Sequence, residues 1–424
     1  MINICVYEDT HYKQLYPLTF ARPAYDLLIG TSLILNKIER FFSHANISLH
    51  CRPELKATLK EKFSHYPINT LNNGAPCLFI NGRTILTQSL YNELAQLDDL
   101  HSHLLLHKNH VIGAYLRGEL LDSMIQNLQR GPIDNTLIFE SYRKKTMTTQ
   151  LKSCLIIEYP WDLIELNNGL ITSDFIYENK LGMNKGNTKP YLSIYNEDNV
   201  FIDTNTLIED YVVLDATSGP IYIEADVHIL AHTRIEGPAF IGKNSTILGG
   251  YLKHVSIGPH CKIAGELSQS IVYGYSNKAH NGFIGNSYIG EWANLGALTT
   301  TSNLKNNYAS ISVPFQNTTI DTKIQLIGSF IGDYVKTGIN TSLNTGTHIG
   351  FGSTLFDTGF HAKYIPPFSW GTPNNYTIHD LNKLIQTTQI MISRRNKTLS
   401  KTKHQLFHWL LQNYISLPTS QSTL

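Results

Sequence analysis

The chain has 424 residues, more than one hydrophobic core usually serves, so two domains are expected. Its formal net charge is +1, 16% of residues are charged, and no block of like charges occurs, which argues against a dedicated nucleic-acid binder. The five cysteines, Cys5, Cys51, Cys77, Cys154 and Cys261, never pair as CxxC, so neither a disulfide framework nor a zinc ribbon is expected, and a reducing compartment suits them. The opening MINICVYEDT lacks the basic head and apolar run of a signal peptide, and no stretch reaches membrane-spanning length. The expectation is a cytoplasmic protein with no membrane partner.

INICVYE reads as a short buried strand, and TSLILNKIERFF places apolar residues at helical spacing. NISLHC, CLFING and HLLLHKN are further strands, and ELLDSMIQNLQ is helical. This alternation predicts an α/β domain on a largely parallel sheet. Residues 176 to 198 are polar and rich in Gly, Asn and Lys, and read as a linker.

The pattern then changes. Ile223, Ile229, Ile235, Ile241 and Ile247 lie six residues apart, and the spacing resumes at Ile257 and Ile263, at Ile289 and Leu295, and from Ile331 through Thr337, Leu343 and Ile349 to Leu355. A six-residue period is neither helical nor a plain strand alternation; it marks a parallel β-helix, in which each hexad supplies one short face and its aliphatic residue fills a narrow core. Beyond residue 360, IPPFSWG reads as a cap for the coil stack. DLNKLIQTTQIMISRRNK and KHQLFHWLLQNY follow with helical spacing, and the tail LPTSQSTL reads as disordered.

The stretch from 274 to 308 carries Ser276, Lys278, Ala279 and His280, then Gly285, Ile289, Gly290, Asn294, Gly296, Ala297, Thr299 and Asn303. It resembles the SKAxH turn and YxGDxxIGxxxNxGAGTxxxN run of the bifunctional N-acetylglucosamine-1-phosphate uridylyltransferase/glucosamine-1-phosphate acetyltransferase family, which serves UDP-N-acetylglucosamine biosynthesis. YPLTFARPAYDLLIG is similar to that family's Leu-Thr-x-x-Arg-Pro stretch, and EYPWDLIELN to a PWDLL-x-x-N element of related sugar nucleotidyltransferases, so the chain looks like a divergent branch. The fold class this implies is an α/β nucleotidyltransferase-like N-terminal domain (1–176), a linker (177–198), a left-handed parallel β-helix of hexapeptide repeats (199–360), and a cap with a C-terminal helical segment (361–424).

The resemblance implies acetyl-CoA-dependent N-acetylation of a hexosamine-1-phosphate in the β-helix. His280 is the expected base that deprotonates the sugar amine, and the Ala297 N–H the expected oxyanion donor. Lys278, Asn294, Asn303 and Lys305 are the expected contacts to sugar or acyl-CoA, in a homotrimer whose sites lie between subunits. Three departures stand out: Phe283 replaces the family's Tyr, Leu298 replaces the second Gly of GAG, and the phosphate-gripping cations lack clear counterparts, with Lys253, Arg234 and Lys262 as candidates. In the N-terminal domain, EDTHYKQ stands where the family has a glycine-rich phosphate loop. Ala24 replaces a lysine, and Arg83 and Ile156 fall on the metal ligands, so Mg²⁺ is implied only if that domain is active. Arg22, Lys13 and Arg83 remain candidate phosphate contacts. Two further readings stay open: a nucleotidyltransferase whose β-helix only oligomerises or regulates, and a non-catalytic sugar-nucleotide-binding scaffold. A zinc site among His228, His232, His254, His260 and His280 is a rival on the same fold, but the spacing of known three-histidine sites is not reproduced, and no metal ligand is assigned.

Overall fold

A computed structural model describes residues 2–71, 75–108, 110–315 and 318–415. The tail expected to be disordered lies outside the described residues.

The N-terminal domain is built on a six-stranded sheet in the order Asn46–Leu49, Asn3–Tyr7, Cys77–Asn81, His110–Leu116, His103–His107, Met147–Gln150. Side chains alternate between its two faces. Ile4, Val6, Leu78 and Ile80 enter one apolar cluster, whereas Cys5, Tyr7, Cys77 and Phe79 enter another. The sheet is mixed rather than largely parallel. His103–His107 and His110–Leu116 are joined by only two residues, which permits antiparallel pairing alone, and His110–Leu116 is antiparallel to Cys77–Asn81 as well. The helical spacing at Thr31–Phe42 yields a shorter helix, Ile34–Glu39, because a tight hairpin pairs Leu28–Ile29 with Ser32–Leu33 first.

The PWD element opens the helix Pro160–Glu178. Pro160 sits at its first position, where the missing N–H costs nothing, and the Asp162 carboxylate accepts from the N–H groups of Glu158 (2.7 Å) and Tyr159 (2.9 Å). The helix ends at Asn179 in the left-handed conformation.

The six-residue period produces a parallel β-helix. One face is a nine-stranded sheet running from Val200–Ile202 to Tyr364–Ile365. Ile202, Ile223, Ile241, Ile257, Val272, Ile289, Ile331, Ile349 and Ile365 occupy equivalent inward positions, each at most 1% exposed. The stretch read as a linker requires a correction: Asn187–Thr188 and Ser193–Tyr195 pair in parallel with Leu207–Ile208 and Val213–Asp215, forming a first coil. The edge of the stack offers backbone donors and acceptors that even a polar segment satisfies, so composition alone misled there. At the other end IPPFSWG still belongs to the last coil, and the antiparallel hairpin of Ser369–Thr372 with Asn375–Ile378 closes the stack.

The domain and the solenoid share one core. Tyr273, Tyr288, Trp292, Phe330, Tyr334, Phe351 and Phe368 of the solenoid belong to the same apolar cluster as Ile4, Leu28 and Trp161, and Leu384, Ile392, Phe407 and Leu410 of the helices Leu381–Ser393 and Lys401–Ile415 complete it. The solenoid face that makes these contacts is called the docked face below.

Candidate active site

His280 stands at the corner between the strands Asn277–Lys278 and Phe283–Gly285 of the solenoid. Backbone pairing fixes its neighbours. Asn277 lies opposite Asn294 in the next coil, and the Leu298 N–H donates to the Asn281 carbonyl at 2.9 Å. His280 and Ala297 therefore occupy equivalent positions in adjacent coils, which stack at about 4.8 Å. The corner is tight. Gly282 has φ +127°, and a Cβ there would lie 2.3 Å from the Thr299 carbonyl oxygen, so only glycine lets the two coils approach.

His280 is exposed, and Ala297 is half-buried with its carbonyl accepting from the Asn340 N–H at 2.8 Å. The Ala297 N–H has no partner among the described residues. Leu298 (52% exposed) and Ile339 (68% exposed) continue the corner as an apolar edge. An imidazole, a free N–H and an apolar strip on one edge can together deprotonate a nucleophile, steady an oxyanion and hold an aliphatic arm.

Lys278 requires a correction. Strand alternation sends Asn277 outward and Lys278 inward, where it pairs with Ile263 of the core ladder and is 1% exposed. Its ammonium donates to the main-chain carbonyl of its own corner residue, His280, and lies 3.4 Å from the Ala264 carbonyl oxygen. Burial pushes it down to about 8. It braces the turn from inside and does not face the groove. Asn294 is exposed and accepts from the Asn277 amide at 3.3 Å. Asn303 belongs to another corner: its amide donates to Asn286 Oδ1 (2.8 Å), whose own amide donates to Gln269 Oε1 (3.1 Å). Lys305 begins the excursion between Thr300–Thr301 and Ser329–Ile331 and donates to the Ser310 carbonyl at 2.6 Å.

The carboxyl ends of parallel strands are where an open α/β sheet usually receives its ligand; in the N-terminal domain a cavity of about 240 Å³ lined by Ser48, His50, Asn69 and Gln129 lies beside the end of Asn46–Leu49, whereas beyond Asn3–Tyr7 the chain's own side chains interlock. Asp9 is 1% exposed and accepts from Arg83 Nη2 (2.7 Å), Asn81 Nδ2 (2.9 Å) and Asn135 Nδ2 (2.9 Å). Burial alone would raise its pKa, but the Arg83 guanidinium and these donors hold the carboxyl well below the usual range. Arg83 also donates to the Ile157 carbonyl at 2.8 Å. With Asp9 already bound on this pattern and Ile156 on the second ligand position, the residues do not fit a Mg²⁺ ion.

Arg22 has another role than phosphate contact. It reaches Asp333 (2.7 Å) and Glu291 (3.1 Å) of the solenoid, and its guanidinium lies 3.9 Å from the centroid of the Tyr273 ring. Burial would raise the Glu291 carboxyl, but Lys403, Arg22 and Lys62 bring it down to about 2. Of the three cations proposed for phosphate, Lys13 alone is exposed. On the solenoid Arg234 pairs with Asp215 (2.6 Å) and Glu236 (2.8 Å), and Lys253 with Glu236 (3.4 Å). The histidines of the zinc alternative are dispersed: His228 pairs with Glu209, His232 stacks on Tyr211, and His260 stacks on Tyr275. Among the described residues no three His, Cys, Asp or Glu side chains form a metal-binding group, and no helix is long and apolar enough to cross a membrane.

Residues 4–180 match the model of a family described as sugar nucleotidyl transferase. No curated protein matches the chain. Among solved structures the chain is similar to the polySia-specific acetyltransferase NeuO, at 15% identity over 50% of this chain and 97% of that one, with a TM-score of 0.28. It is also similar to AntD, an N-acyltransferase from Bacillus cereus solved with dTDP and 3-hydroxybutyryl-CoA, at 14% identity over 53% of this chain and 96% of that one, with a TM-score of 0.17. The chain thus joins a sugar nucleotidyltransferase-like domain to a parallel β-helix and two closing helices.

Proposed function

We propose that the protein is a transferase that N-acetylates a hexosamine-1-phosphate from acetyl-CoA at the His280 corner, in a homotrimer whose neighbouring subunit completes the groove. The observation that carries this reading is the stacking of the exposed His280 on Ala297 one coil away, whose N–H has no partner among the described residues. The sugar amine attacks the thioester carbonyl, His280 takes its proton, and the Ala297 N–H donates to the developing oxyanion. Collapse breaks the C–S bond, and the proton passes to the departing thiolate, leaving an amide and free coenzyme A. Asn294, exposed on the same coil as Ala297, is placed to orient the sugar. Lys305 would serve a phosphate only by giving up its bond to the Ser310 carbonyl.

The N-terminal domain in this reading positions the solenoid rather than transferring nucleotide, because Asp9 and Arg83 close the phosphate position on each other. That same closure favours the second reading, a sugar-nucleotide-binding scaffold without catalysis. Incubation with acetyl-CoA and hexosamine-1-phosphates, following free thiol, separates the two. Release abolished in His280→Ala supports acetyl transfer, whereas release equal in both proteins, or absent from both, refutes it. Pyrophosphate release from UTP or dTTP with a sugar-1-phosphate would overturn the assignment of the N-terminal domain.

A further inference from the structure

At the other end of the strand Phe283–Gly285 from His280, a cleft of about 250 Å³ opens where the helix Pro160–Glu178, the corner carrying Gln269 and Asn286, and residues 324–327 of the excursion meet. We propose that this cleft binds a single unphosphorylated hexose ring and prefers one bearing an amino group. The proposal stands apart from the acetyl-transfer reading, since none of its residues belongs to the His280 corner.

Size sets the first limit. The cleft holds the equivalent of about eight waters at ~30 Å³ each. It falls just below the range of drug-sized pockets, so it suits one six-membered ring and not a sugar nucleotide. The wall sets the second. Leu326, 43% exposed, and the half-buried Ile324 offer an apolar edge of the kind that the C–H face of a pyranose covers, above a floor of the buried Trp161, Ile164 and Ile327.

Polar groups set the third. The amides of Asn303, Asn286 and Gln269 donate in sequence toward Gln269. Gln269 Nε2, the end of that ladder, has no partner among the described residues and faces a cleft that also holds the Glu165 carboxylate. Glu165 is exposed and likewise unpartnered among them. One donor and one carboxylate above an apolar floor match a ring with hydroxyls at its edge. No Lys, Arg or His lines the cleft among the described residues, so a phosphate there would meet a carboxylate and no cation. An ammonium beside Glu165 would gain instead.

The test uses the full chain as wild type and as His280→Ala, so that loss of acetyl transfer and loss of this site are read separately. Glucosamine, glucose and glucosamine 1-phosphate are titrated by ligand-observed NMR and calorimetry. Binding counts as the cleft's only where Leu326→Trp, which fills its exposed rim, abolishes it. Glucosamine is expected to saturate both proteins, with glucose several-fold weaker and no cleft binding of the phosphate. Glu165→Gln is expected to bring glucosamine and glucose to equal affinity, with melting curves of both variants matching the wild type. The proposal is overturned if neither sugar saturates, if Leu326→Trp leaves their binding intact, or if the phosphorylated sugar binds the cleft more tightly.

Discussion

Replacing Arg22 by methionine tests whether the Arg-Pro stretch is a clamp between domain and solenoid. The guanidinium is 5% exposed and makes two bonds to Asp333 Oδ2, at 3.2 and 2.7 Å, and one to Glu291 at 3.1 Å. Methionine keeps much of the volume but leaves Asp333, 3% exposed, without its cation. Glu291 fares better because Lys403 and Lys62 still act on it. Breaking a buried pair by removing one partner costs about 3–5 kcal/mol. The lower end is expected, because burial already raises the Asp333 carboxyl despite Arg22, and it escapes its charge by taking up a proton. A loss of ~3 kcal/mol is a factor of more than a hundred in the folded-to-unfolded ratio. Urea denaturation followed by tryptophan fluorescence measures it, and hydrogen exchange at the Leu28 amide, which donates to Tyr288 Oη across the same junction at 3.0 Å, localises it. Arg22→Met with Asp333→Asn should recover more than half of the loss, because no buried charge is then left alone. A denaturation midpoint unchanged by Arg22→Met, or a double variant no better than the single one, would refute the clamp.

Three further outcomes follow from the geometry. Burial pushes the His348 imidazole down to about 3, and its Nε2 has no partner among the described residues. The folded value lies below the unfolded one of about 6.5, so its contribution is complete above that pH and is lost as pH falls toward 3, at up to ~1.4 kcal/mol per pH unit; His348→Phe should flatten stability between pH 6 and 4, and an unaltered slope would count against the neutral buried ring. Gly282→Ala puts a Cβ 2.3 Å from the Thr299 carbonyl oxygen at φ +127°, so a stability loss of ~2 kcal/mol is expected by denaturant titration, together with reduced thiol release; wild-type behaviour in both would contradict the tight corner. Lys278→Met exchanges a buried amine for a thioether of similar reach, so the KM for acetyl-CoA should stay within twofold while kcat falls, and a tenfold rise in KM would place the ammonium in the groove after all.

The solenoid was legible because its signal is local: each hexad must supply an inward aliphatic residue, and the five isoleucines from Ile223 to Ile247 state that period outright. The strands Asn3–Tyr7 and Cys77–Asn81 were legible as short apolar runs for the same reason. What could not be read depends on partners distant in sequence. Arg22 looked like a free cation because Glu291 and Asp333, 269 and 311 residues away, carry no mark tying them to it. Arg83 misled in the same way, since it and Asn135 converge on Asp9 only once the sheet forms. Lys278 did carry a signal. Counting alternation outward from Ile263 and Leu295 puts it on the inward phase, but a lysine there conflicts with its polarity, and the motif reading prevailed.

The N-terminal domain therefore has a physical reason to be present that owes nothing to nucleotide chemistry. The docked face of the solenoid displays Phe201, Tyr222, Phe240, Tyr288 and Phe330, each no more than 6% exposed in the intact chain. Phe175 of the helix Pro160–Glu178 packs against Tyr222, Trp161 of the same helix against Phe330, and Asn167 between them accepts from Ser256 Oγ and the Gly30 N–H. A row of aromatic side chains along a sheet face cannot be left to water without inviting association, so the solenoid of this chain needs a cover. The cover is an α/β domain in which Asp9 and Arg83 pair with each other beyond Asn3–Tyr7, while its helix and hairpin make the contacts with the solenoid. Asp9 and Arg83 bond each other within the domain, whereas Arg22 of the Arg-Pro stretch spends its guanidinium on Asp333 and Glu291 of the solenoid, which is what a cover requires.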